Sequence, residues 1–534
     1  MLQLQGLVTF FSNTPSWCRQ SMNNNDLMCL LLTSFLLLSL SWMLFVKKPK
    51  NKHPPLPPGP RGLPLVGNLL SLDPQLHTCL TAMAGAHGPI LTLWLGKKLT
   101  VVVTSHTIAR EILKDNDVVF ANRSVPASAA HSSYGGRDIA WSQYGAEWRM
   151  LRKVAVHEML SNASFDSVYS LRRQEIRRTI GYLHSQAGNR VNIGEQMFLT
   201  ILNVITNMMW GGALMGKDRA SVAAEFRQVI AEMTQLLGIP NISDYYPGLA
   251  QFDLQGIVKK MKGLVKRLDV IFDGMIDQRS KINGEVGTST GDGVKLSKDF
   301  LEFLLKMKDG GGDAKTPLTM NHVKALLMDM VLGGTETTSN AIEFAMAEMM
   351  SKPEILNKAQ QELDTVVGRD SIVEESHINK LPYLNAILKE VLRLHPVLPL
   401  MVPHCPSQTC IIGGYTIPKG ARVFINIWAI HRDPLIWENP AEFRPERFLD
   451  GKMGFRGGDF SYFPFGSGRR MCAGIAMAER MFLFSLASIL HSFDWKLPEG
   501  EELDLSEKFG IVLKKRVPLM AIPTPRLSNP ALYD

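Results

Sequence analysis

Cysteine is scarce in this chain, and several common sequence signatures are absent. Only six cysteines occur among 534 residues, which excludes a secreted scaffold built on disulfides. No G-x-G-x-x-G segment follows a predicted strand and no G-x-x-x-x-G-K-[ST] segment occurs, so the chain has no recognisable nucleotide site of its own. The net charge is +8, but the sequence has no dense stripe of Lys and Arg with interleaved aromatic residues, so nucleic acid is not a predicted partner.

Charge is also missing from a long segment near the N-terminus. Residues 27–46 contain no charged side chain, and a helix of that length would be about 30 Å long, enough to cross a bilayer. Lysines cluster directly after it, so the positive-inside rule places the rest of the chain in the cytosol. A cleaved signal peptide is the weaker alternative, because the apolar run is too long for one and no A-x-A site follows. The sequence therefore predicts a short lumenal N-terminus (1–26), a transmembrane anchor (27–46), a basic and proline-rich hinge (47–61) and one large domain (62–534).

The large domain reads as mainly α with a small β region. Residues 90–95 and 100–104 are rich in β-branched and apolar side chains, and the Gly96 turn between them predicts a pair of strands. Thr319 and Pro353 are typical start and stop signals, and they predict one long helix over residues 320–350.

A glycine-rich loop surrounds a single cysteine near the C-terminus. It reads F-G-S-G-R-R-M-C-A-G over residues 465–474, and a helix-like run follows it. A helix N-terminus, backbone N–H groups and the nearby Arg470 are expected to hold Cys472 as a thiolate. Such a thiolate can be a nucleophile or a metal ligand.

Two glycines and several polar residues interrupt the apolar pattern of the long helix at G-G-T-E-T-T, residues 333–338. Glycine within a helix costs roughly 1 kcal/mol against alanine, so a functional reason is expected. One interpretation is that a ligand approaches the helix there, with Glu336 and Thr337 passing protons to it. The other is a close helix crossing that needs small residues.

Charged residues form two further motifs. Glu390 and Arg393 are three residues apart on one predicted helix face and can pair. Arg447, in the segment F-R-P-E-R-F, can join them in a buried network. Each motif alone is common in proteins of many classes.

In chain order, the motifs are G-G-T-E-T-T, E-x-x-R, F-R-P-E-R-F and the cysteine loop, and together they resemble the cytochrome P450 haem-thiolate monooxygenases. The resemblance extends from the predicted anchor to the C-terminus. The anchor and the proline-rich hinge are similar to those of plant microsomal members. The segments L-P-P-G-P-R-G-L-P, P-F-G-S-G-R-R-M-C-A-G and I-P-T-P-R are similar to a plant subgroup of terpenoid and flavonoid hydroxylases that includes (+)-delta-cadinene 8-hydroxylase. The resemblance implies the P450 fold and a bound haem b.

The resemblance also implies a role for individual residues. Cys472 would be the axial thiolate ligand of the haem iron, with Phe465 packed beside the sulfur. Thr337 would hydrogen-bond bound oxygen, and Glu336 would help to relay protons. The expected partners of the haem propionates are Trp148, Arg152, Arg470 and His404. The expected structural lock behind the haem consists of Glu390, Arg393 and Arg447.

The resemblance further implies that substrate contacts come from an almost wholly apolar set of side chains, which suits a small lipophilic ligand. This set is Met328, Leu332, Gly333, Val397, Leu398, Leu400 and Ile511. A sesquiterpene is therefore the first expected substrate and a flavonoid the second. Electrons would come from NADPH through a separate membrane-bound reductase, and O2 would be the co-substrate. The location implied is the endoplasmic reticulum membrane, with the domain on the cytosolic face.

Two other classes remain open at this point. A haem-thiolate isomerase or dehydratase would use the same fold without O2, but it needs no proton relay of the Glu336–Thr337 type. A non-catalytic haem-binding protein is the other alternative, although all four motifs are intact.

Overall fold

The structure is a computed structural model that describes residues 33–34, 37, 54–210, 219–286, 299–310, 316–455 and 458–534. The predicted anchor lies outside these residues except at positions 33, 34 and 37, which are helical. One helix among the described residues, Ile475–Ser492, is long and apolar enough to cross a membrane, but 72% of it is buried inside the protein. Packing within the core accounts for its apolar composition.

Helices make up most of the described chain, as the sequence predicts. The α-helices are α1 (Leu76–His87), α2 (His106–Arg110), α3 (Asp117–Phe120), α4 (Ala127–Ser132), α5 (Ala146–Lys153), α6 (Asn162–Ser167), α7 (Tyr169–Ser185), α8 (Ile193–Trp210), α9 (Arg219–Gly238), α10 (Ile242–Tyr245), α11 (Ile257–Val286), α12 (Phe300–Asp309), α13 (Met320–Ser351), α14 (Pro353–Val366), α15 (Glu375–Ile378), α16 (Pro382–Leu394), α17 (Ile427–Ile430) and α18 (Ile475–Ser492). Two short π-helical segments, Glu111–Asp115 and Val154–Met159, directly follow α2 and α5.

The strands form small sheets. They are β1 (Ile90–Leu95), β2 (Lys98–Val103), β3 (Asn122–Arg123), β4 (Val191–Asn192), β5 (His404–Cys405), β6 (Cys410–Ile412), β7 (Tyr415–Ile417), β8 (Arg422–Ile425), β9 (Phe493–Lys496), β10 (Glu507–Lys508), β11 (Lys514–Lys515) and β12 (Met520–Pro525). The largest sheet has the order β1-β2-β8-β5-β3, and β4-β12-β9, β6-β7 and β10-β11 form separate sheets.

The predicted strand pair is confirmed. β1 and β2 are antiparallel, with Ile90 opposite Val103 and Leu95 opposite Lys98. Gly96 makes the tight turn between them at a φ of 57°, a conformation that glycine adopts without strain. At the other edge of the sheet, Arg123 of β3 lies opposite His404 of β5, and this pairing brings an arginine and a histidine of distant segments together.

The long helix α13 is also confirmed, and it runs through the main hydrophobic core. The Thr319 hydroxyl accepts a hydrogen bond from the His322 amide, and the His322 ring accepts one from the Thr319 amide, so two unpaired N–H groups of the first turn are satisfied. The helix ends at Ser351, just before Pro353 starts α14. α8 and α18 pack against α13, and the loop before α18 carries the predicted cysteine.

Candidate active site

The Cys472 loop folds back on itself before α18. The Cys472 amide donates to the Phe465 carbonyl at 2.9 Å, and the Gly474 amide donates to the Cys472 sulfur at 3.3 Å. Gly468 has a φ of 70°, and a Cβ there would collide with the Leu113 carbonyl oxygen. Glycine is therefore required in this loop, and the loop presents one sulfur with an N–H group directed at it.

The Cys472 side chain keeps an exposed surface, yet the surrounding protein shields it from bulk water. Burial raises the pKa of the thiol, and this effect outweighs the Gly474 N–H group and the Arg152 charge, which both lower it. The predicted N–H group at the start of the helix thus acts on the sulfur, whereas the predicted cation Arg470 is not among the groups that do. Arg152, which donates to the Met471 carbonyl at 2.6 Å, is the cation that acts on the sulfur.

Arg470 instead uses its guanidinium group on backbone carbonyls. It donates to Ala121 at 2.6 Å, to Ile139 at 3.1 Å and to Ser142 at 2.5 Å. Its charge also lies 4.6 Å from the centre of the Trp148 ring, whose indole N–H donates to the same Ile139 carbonyl at 3.1 Å. Three of the expected propionate partners, Arg152, Arg470 and Trp148, are thus tied to the segments around the cysteine loop.

Arg123 adds to this positive region, and His404 lies opposite it in the sheet. The His404 Nδ1 lies 2.9 Å from the Phe120 carbonyl, whereas its Nε2 is buried and has no hydrogen-bond partner in the described part of the chain. Burial and the charges of Arg123 and Arg470 lower the pKa of His404 well below its usual value, so the ring is neutral. Asp138 is the carboxyl group that opposes these cations, and burial raises its pKa to about 6.

These residues fit a haem. The positive charges of Arg123, Arg152 and Arg470 in a buried region can compensate the negative charges of two propionates. The accessible Cys472 sulfur suits an iron ligand. The unpaired His404 Nε2 is a buried polar atom that needs a partner. A metal site made only of protein side chains does not account for Cys472, since the described residues hold no group of three or more His, Cys, Asp or Glu suited to a metal.

The two helix glycines have different neighbours. A Cβ at Gly334 would lie 2.7 Å from Ile205 Cδ1 of α8, so this glycine permits a close helix crossing. A Cβ at Gly333 would meet nothing within 4 Å, so this glycine faces open space. The helix-crossing interpretation is therefore confirmed for Gly334, and the ligand interpretation stays a prediction for Gly333. α13 stays helical through both positions.

Thr337 lies one turn beyond Gly333 and is partly exposed on the same helix face. Its hydroxyl donates to the Gly333 carbonyl at 2.7 Å. Glu336 is buried, with its Oε2 atom unpaired among the described residues and its Oε1 atom 3.9 Å from Lys514 Nζ of β11. Burial raises the pKa of Glu336, whereas Lys514 and Thr234 oppose this effect. The shift in pKa favours proton binding at Glu336, and the neighbouring Lys514 is partly exposed.

The three lock residues meet as the sequence predicts. Arg393 holds both oxygens of Glu390, at 2.7 and 2.8 Å, and Arg447 Nε lies 3.3 Å from Glu390 Oε1. Glu390 and Arg393 are completely buried. The remaining Arg393 donors reach the His431, Pro440 and Glu442 carbonyls, so this network joins α16 to the chain that leads to the cysteine loop.

The predicted substrate residues divide into two groups. Leu332, Gly333, Val397, Leu398 and Ile511 retain exposed surface, and the Leu513 amide joins two of these segments by donating to the Val397 carbonyl at 2.7 Å. Met328 and Leu400 are only 2% and 4% exposed, because they pack into hydrophobic cores. Met328 is about 140° around the helix from Gly333 and about 180° from Thr337, which explains its burial. Neither of these two side chains is therefore expected to contact a ligand.

Two residues of the site were not predicted from the sequence. Arg123 lies in a two-residue strand whose partner is almost 300 positions away, so no local pattern reveals it. Asp329 lies one turn before Gly333. A carboxyl group within the apolar run M-D-M-V-L is a pattern from which it could have been predicted.

Comparisons with known proteins agree with this geometry. A family model described as Cytochrome P450 matches residues 57–521. A flavonoid 3'-monooxygenase of Crocosmia x crocosmiiflora is 38% identical over 513 residues, covering 94% of this chain and 98% of that protein. A geraniol 8-hydroxylase of Swertia mussotii is 39% identical over 487 residues, covering 90% and 95% of the two chains. A zebra fish cytochrome P450 structure with progesterone superposes with a TM-score of 0.72 at 26% identity, covering 85% of this chain and 100% of that one.

The predicted resemblance is thus confirmed, including its plant subgroup, since these plant relatives are flavonoid and terpenoid hydroxylases. Relatives named as monooxygenases and hydroxylases support oxygen chemistry over the isomerase and non-catalytic alternatives. Haem is the cofactor, and an NADPH-dependent reductase is the standard partner in this family. Since the family model covers residues 57–521 and relatives of 38–39% identity match nearly the whole chain, the chain belongs to the cytochrome P450 family and is a haem-thiolate monooxygenase.

Proposed function

We propose that this monooxygenase hydroxylates a flavonoid. The observation that carries the proposal is the similarity of nearly the whole chain to flavonoid 3'-monooxygenases of several plants, at 38% identity in the Crocosmia protein. A terpenoid alcohol is the second candidate, because the geraniol 8-hydroxylase is 39% identical. The sesquiterpene expected first from the apolar lining has less support than either.

The haem, when bound by Cys472, supplies the activation of O2. The protein supplies positions for protons and substrate. Glu336 would hold a proton, Thr337 would pass it on, and Gly333 would leave room above the haem for the ligand. One O2, one NADPH and one proton would yield hydroxylated product, NADP⁺ and water.

Turnover tests the substrate class. Membranes with the full chain and a plant NADPH reductase are supplied with the flavanone naringenin, geraniol and δ-cadinene in separate reactions. We expect a naringenin product heavier by one oxygen atom, and none when the reductase is omitted. Hydroxylation of geraniol or δ-cadinene with no flavanone product would refute the flavonoid assignment.

The proton relay is tested by Thr337→Ala, with Thr335→Ala as the matched control. Both hydroxyls donate to the carbonyl four residues earlier, at 2.7 Å, but Thr335 is fully buried in the core. We expect product per NADPH to fall about tenfold or more in Thr337→Ala, with peroxide released instead. The Thr335→Ala ratio should match that of the unaltered chain. Equal ratios in both variants would exclude a role for Thr337 in proton delivery.

We also propose that the domain, residues 62–534, lies on the cytosolic face of the endoplasmic reticulum. In this layout residues 1–26 are lumenal, residues 27–46 cross the membrane, and residues 47–61 form the hinge. An exposed apolar patch supports membrane contact by the domain itself. The patch consists of Leu63, Leu65, Leu70, Phe252 and Leu254, each more than half exposed. The Tyr246 hydroxyl donates to the Leu65 carbonyl at 2.9 Å and thereby joins its two segments.

Cysteine labelling in sealed microsomes tests this topology. We expect a membrane-impermeant maleimide to label Leu435→Cys, because Leu435 is 93% exposed outside the patch. Phe252→Cys should react only after detergent removes the lipid, and the unaltered chain corrects for its own cysteines. Equal labelling at both positions would rule out insertion of the patch, and no labelling of Leu435→Cys before detergent would place the domain in the lumen.

A further inference from the structure

The β10–β11 hairpin is tied to three helical segments through one largely buried carboxylate, that of Glu507 in β10. Its Oε1 atom lies 2.7 Å from His395 Nδ1, just after α16, and 3.4 Å from a guanidinium nitrogen of Arg432, just after α17. Its Oε2 atom lies 3.2 Å from His77 Nε2 of α1 and 3.0 Å from Trp428 Nε1 of α17. Four side chains therefore direct N–H groups at a single carboxylate, and none of them is among the predicted haem or substrate residues.

His395 is itself held in position by α13. Its other ring nitrogen, Nε2, lies 2.8 Å from Glu348 Oε1, and its ring stacks on that of Phe344 with 4.2 Å between the ring centres. Because each ring nitrogen faces a carboxylate oxygen, both nitrogens donate, and the orientation of the ring is fixed from both sides. Glu507 is therefore attached, through His395, to the helix that carries the predicted proton relay.

The turn between β10 and β11 lies against three segments that surround the expected ligand pocket. The Leu513 amide donates to the Val397 carbonyl at 2.7 Å, and the Leu513 carbonyl accepts from the Asn340 side chain of α13 at 3.1 Å. A Cβ at Gly238, the last residue of α9, would lie 2.9 Å from the Ile511 nitrogen, so α9 packs directly on the turn. A displacement of β10 would therefore displace the turn relative to the Val397 segment, α13 and α9.

We propose that Glu507 is a positioning residue, whose carboxylate fixes the β10–β11 turn and thereby the shape of the ligand pocket that the turn borders. Glu507 acts through the turn and does not contact the ligand. The inference rests on the expected place of Val397 and Ile511 beside the ligand, and it holds for any substrate class. An apolar pocket selects its ligands largely by shape, and its walls keep that shape only where supporting residues hold them. A loosened turn would thus weaken the binding of large ligands and spare small ones.

Azole binding to the full-length haem protein tests this proposal. Imidazole and clotrimazole both bind haem iron through a ring nitrogen, but only clotrimazole is large enough to contact the pocket walls. Their dissociation constants are measured from shifts of the haem absorption, so only molecules that hold haem are counted. Glu507→Gln keeps the shape of the side chain but places an NH2 group against N–H donors. We expect this variant to bind clotrimazole about tenfold more weakly and imidazole as the unaltered chain does.

Glu502→Gln is the matched control, because Glu502 is an exposed carboxylate five residues earlier in the chain, and both of its constants should stay unchanged. Equal weakening of both azoles in Glu507→Gln would assign Glu507 a general structural role, and no change in either would show that the turn is held without it. Either result overturns the proposal.

A milder variant decides the matter if Glu507→Gln does not retain haem. Trp428→Phe removes one of the four donors but leaves the carboxylate and the aromatic ring in place. We expect weaker clotrimazole binding with imidazole binding unchanged, and clotrimazole binding equal to that of the unaltered chain would overturn the proposal. Neither azole is a substrate, so the flavonoid assignment is judged separately by naringenin turnover.

Discussion

Cys472→Ser is expected to abolish the strongly red-shifted absorption band that a thiolate-ligated ferrous haem shows with carbon monoxide. A serine hydroxyl is a hard, weakly acidic ligand and does not replace a thiolate on iron. The backbone hydrogen bond from residue 472 to Phe465 does not involve the side chain, so the loop itself should persist. Hydroxylation should become undetectable.

The control for this variant is Cys410→Ser, at a half-buried cysteine of β6. Its carbon monoxide spectrum should match that of the unaltered chain. A red-shifted band that survives in Cys472→Ser would show that another residue ligates the iron. Loss of the band in both variants would point to misfolding rather than to lost ligation.

Glu390→Gln is expected to produce the largest loss of stability among single substitutions of the site. Arg393 is completely buried, and the Glu390 carboxylate is the charge that compensates it at 2.7 Å. Removing one member of a buried ion pair costs about 3–5 kcal/mol, because the other charge stays in a medium of low polarity. The midpoint of urea unfolding, followed by circular dichroism, should fall accordingly, and haem should be lost at lower denaturant concentration.

Asp166→Asn supplies the comparison, since Asp166 pairs with Arg480 at 2.8 Å but is 69% exposed. Exposed pairs contribute about 0–1 kcal/mol, so its unfolding midpoint should barely move. Similar losses in Glu390→Gln and Asp166→Asn would contradict the view that burial gives the Glu390–Arg393 pair its importance.

Local signals predicted the elements that depend on neighbouring residues. Thr319 and Pro353 predicted both ends of α13, because helix capping and helix termination depend on residues within one turn. The expectation for Arg470 was wrong, since a guanidinium close to Cys472 in sequence was assumed to act on the sulfur. Its actual partners are the carbonyls of residues 121, 139 and 142, which tertiary folding brings to it from more than 300 positions away.

The sequence could predict pocket residues that are neighbours on one helix, but not those that only tertiary contacts bring together. Gly333, Glu336 and Thr337 were found together because a single helix presents them. Met328 was misplaced because hydrophobicity does not distinguish a core side chain from one that borders a ligand. Arg123 joins His404 through strand pairing, a contact that no pattern within either segment encodes.

The two adjacent glycines of α13 differ in how freely other residues can replace them during evolution. Alanine at position 333 would gain a methyl group with no steric conflict, so substitutions there can reshape the room for ligands by small steps. Alanine at position 334 would push against Ile205, and accommodating it would require α8 and α13 to move apart. New substrate preferences within this lineage are therefore expected to arise through position 333 and to leave position 334 unchanged.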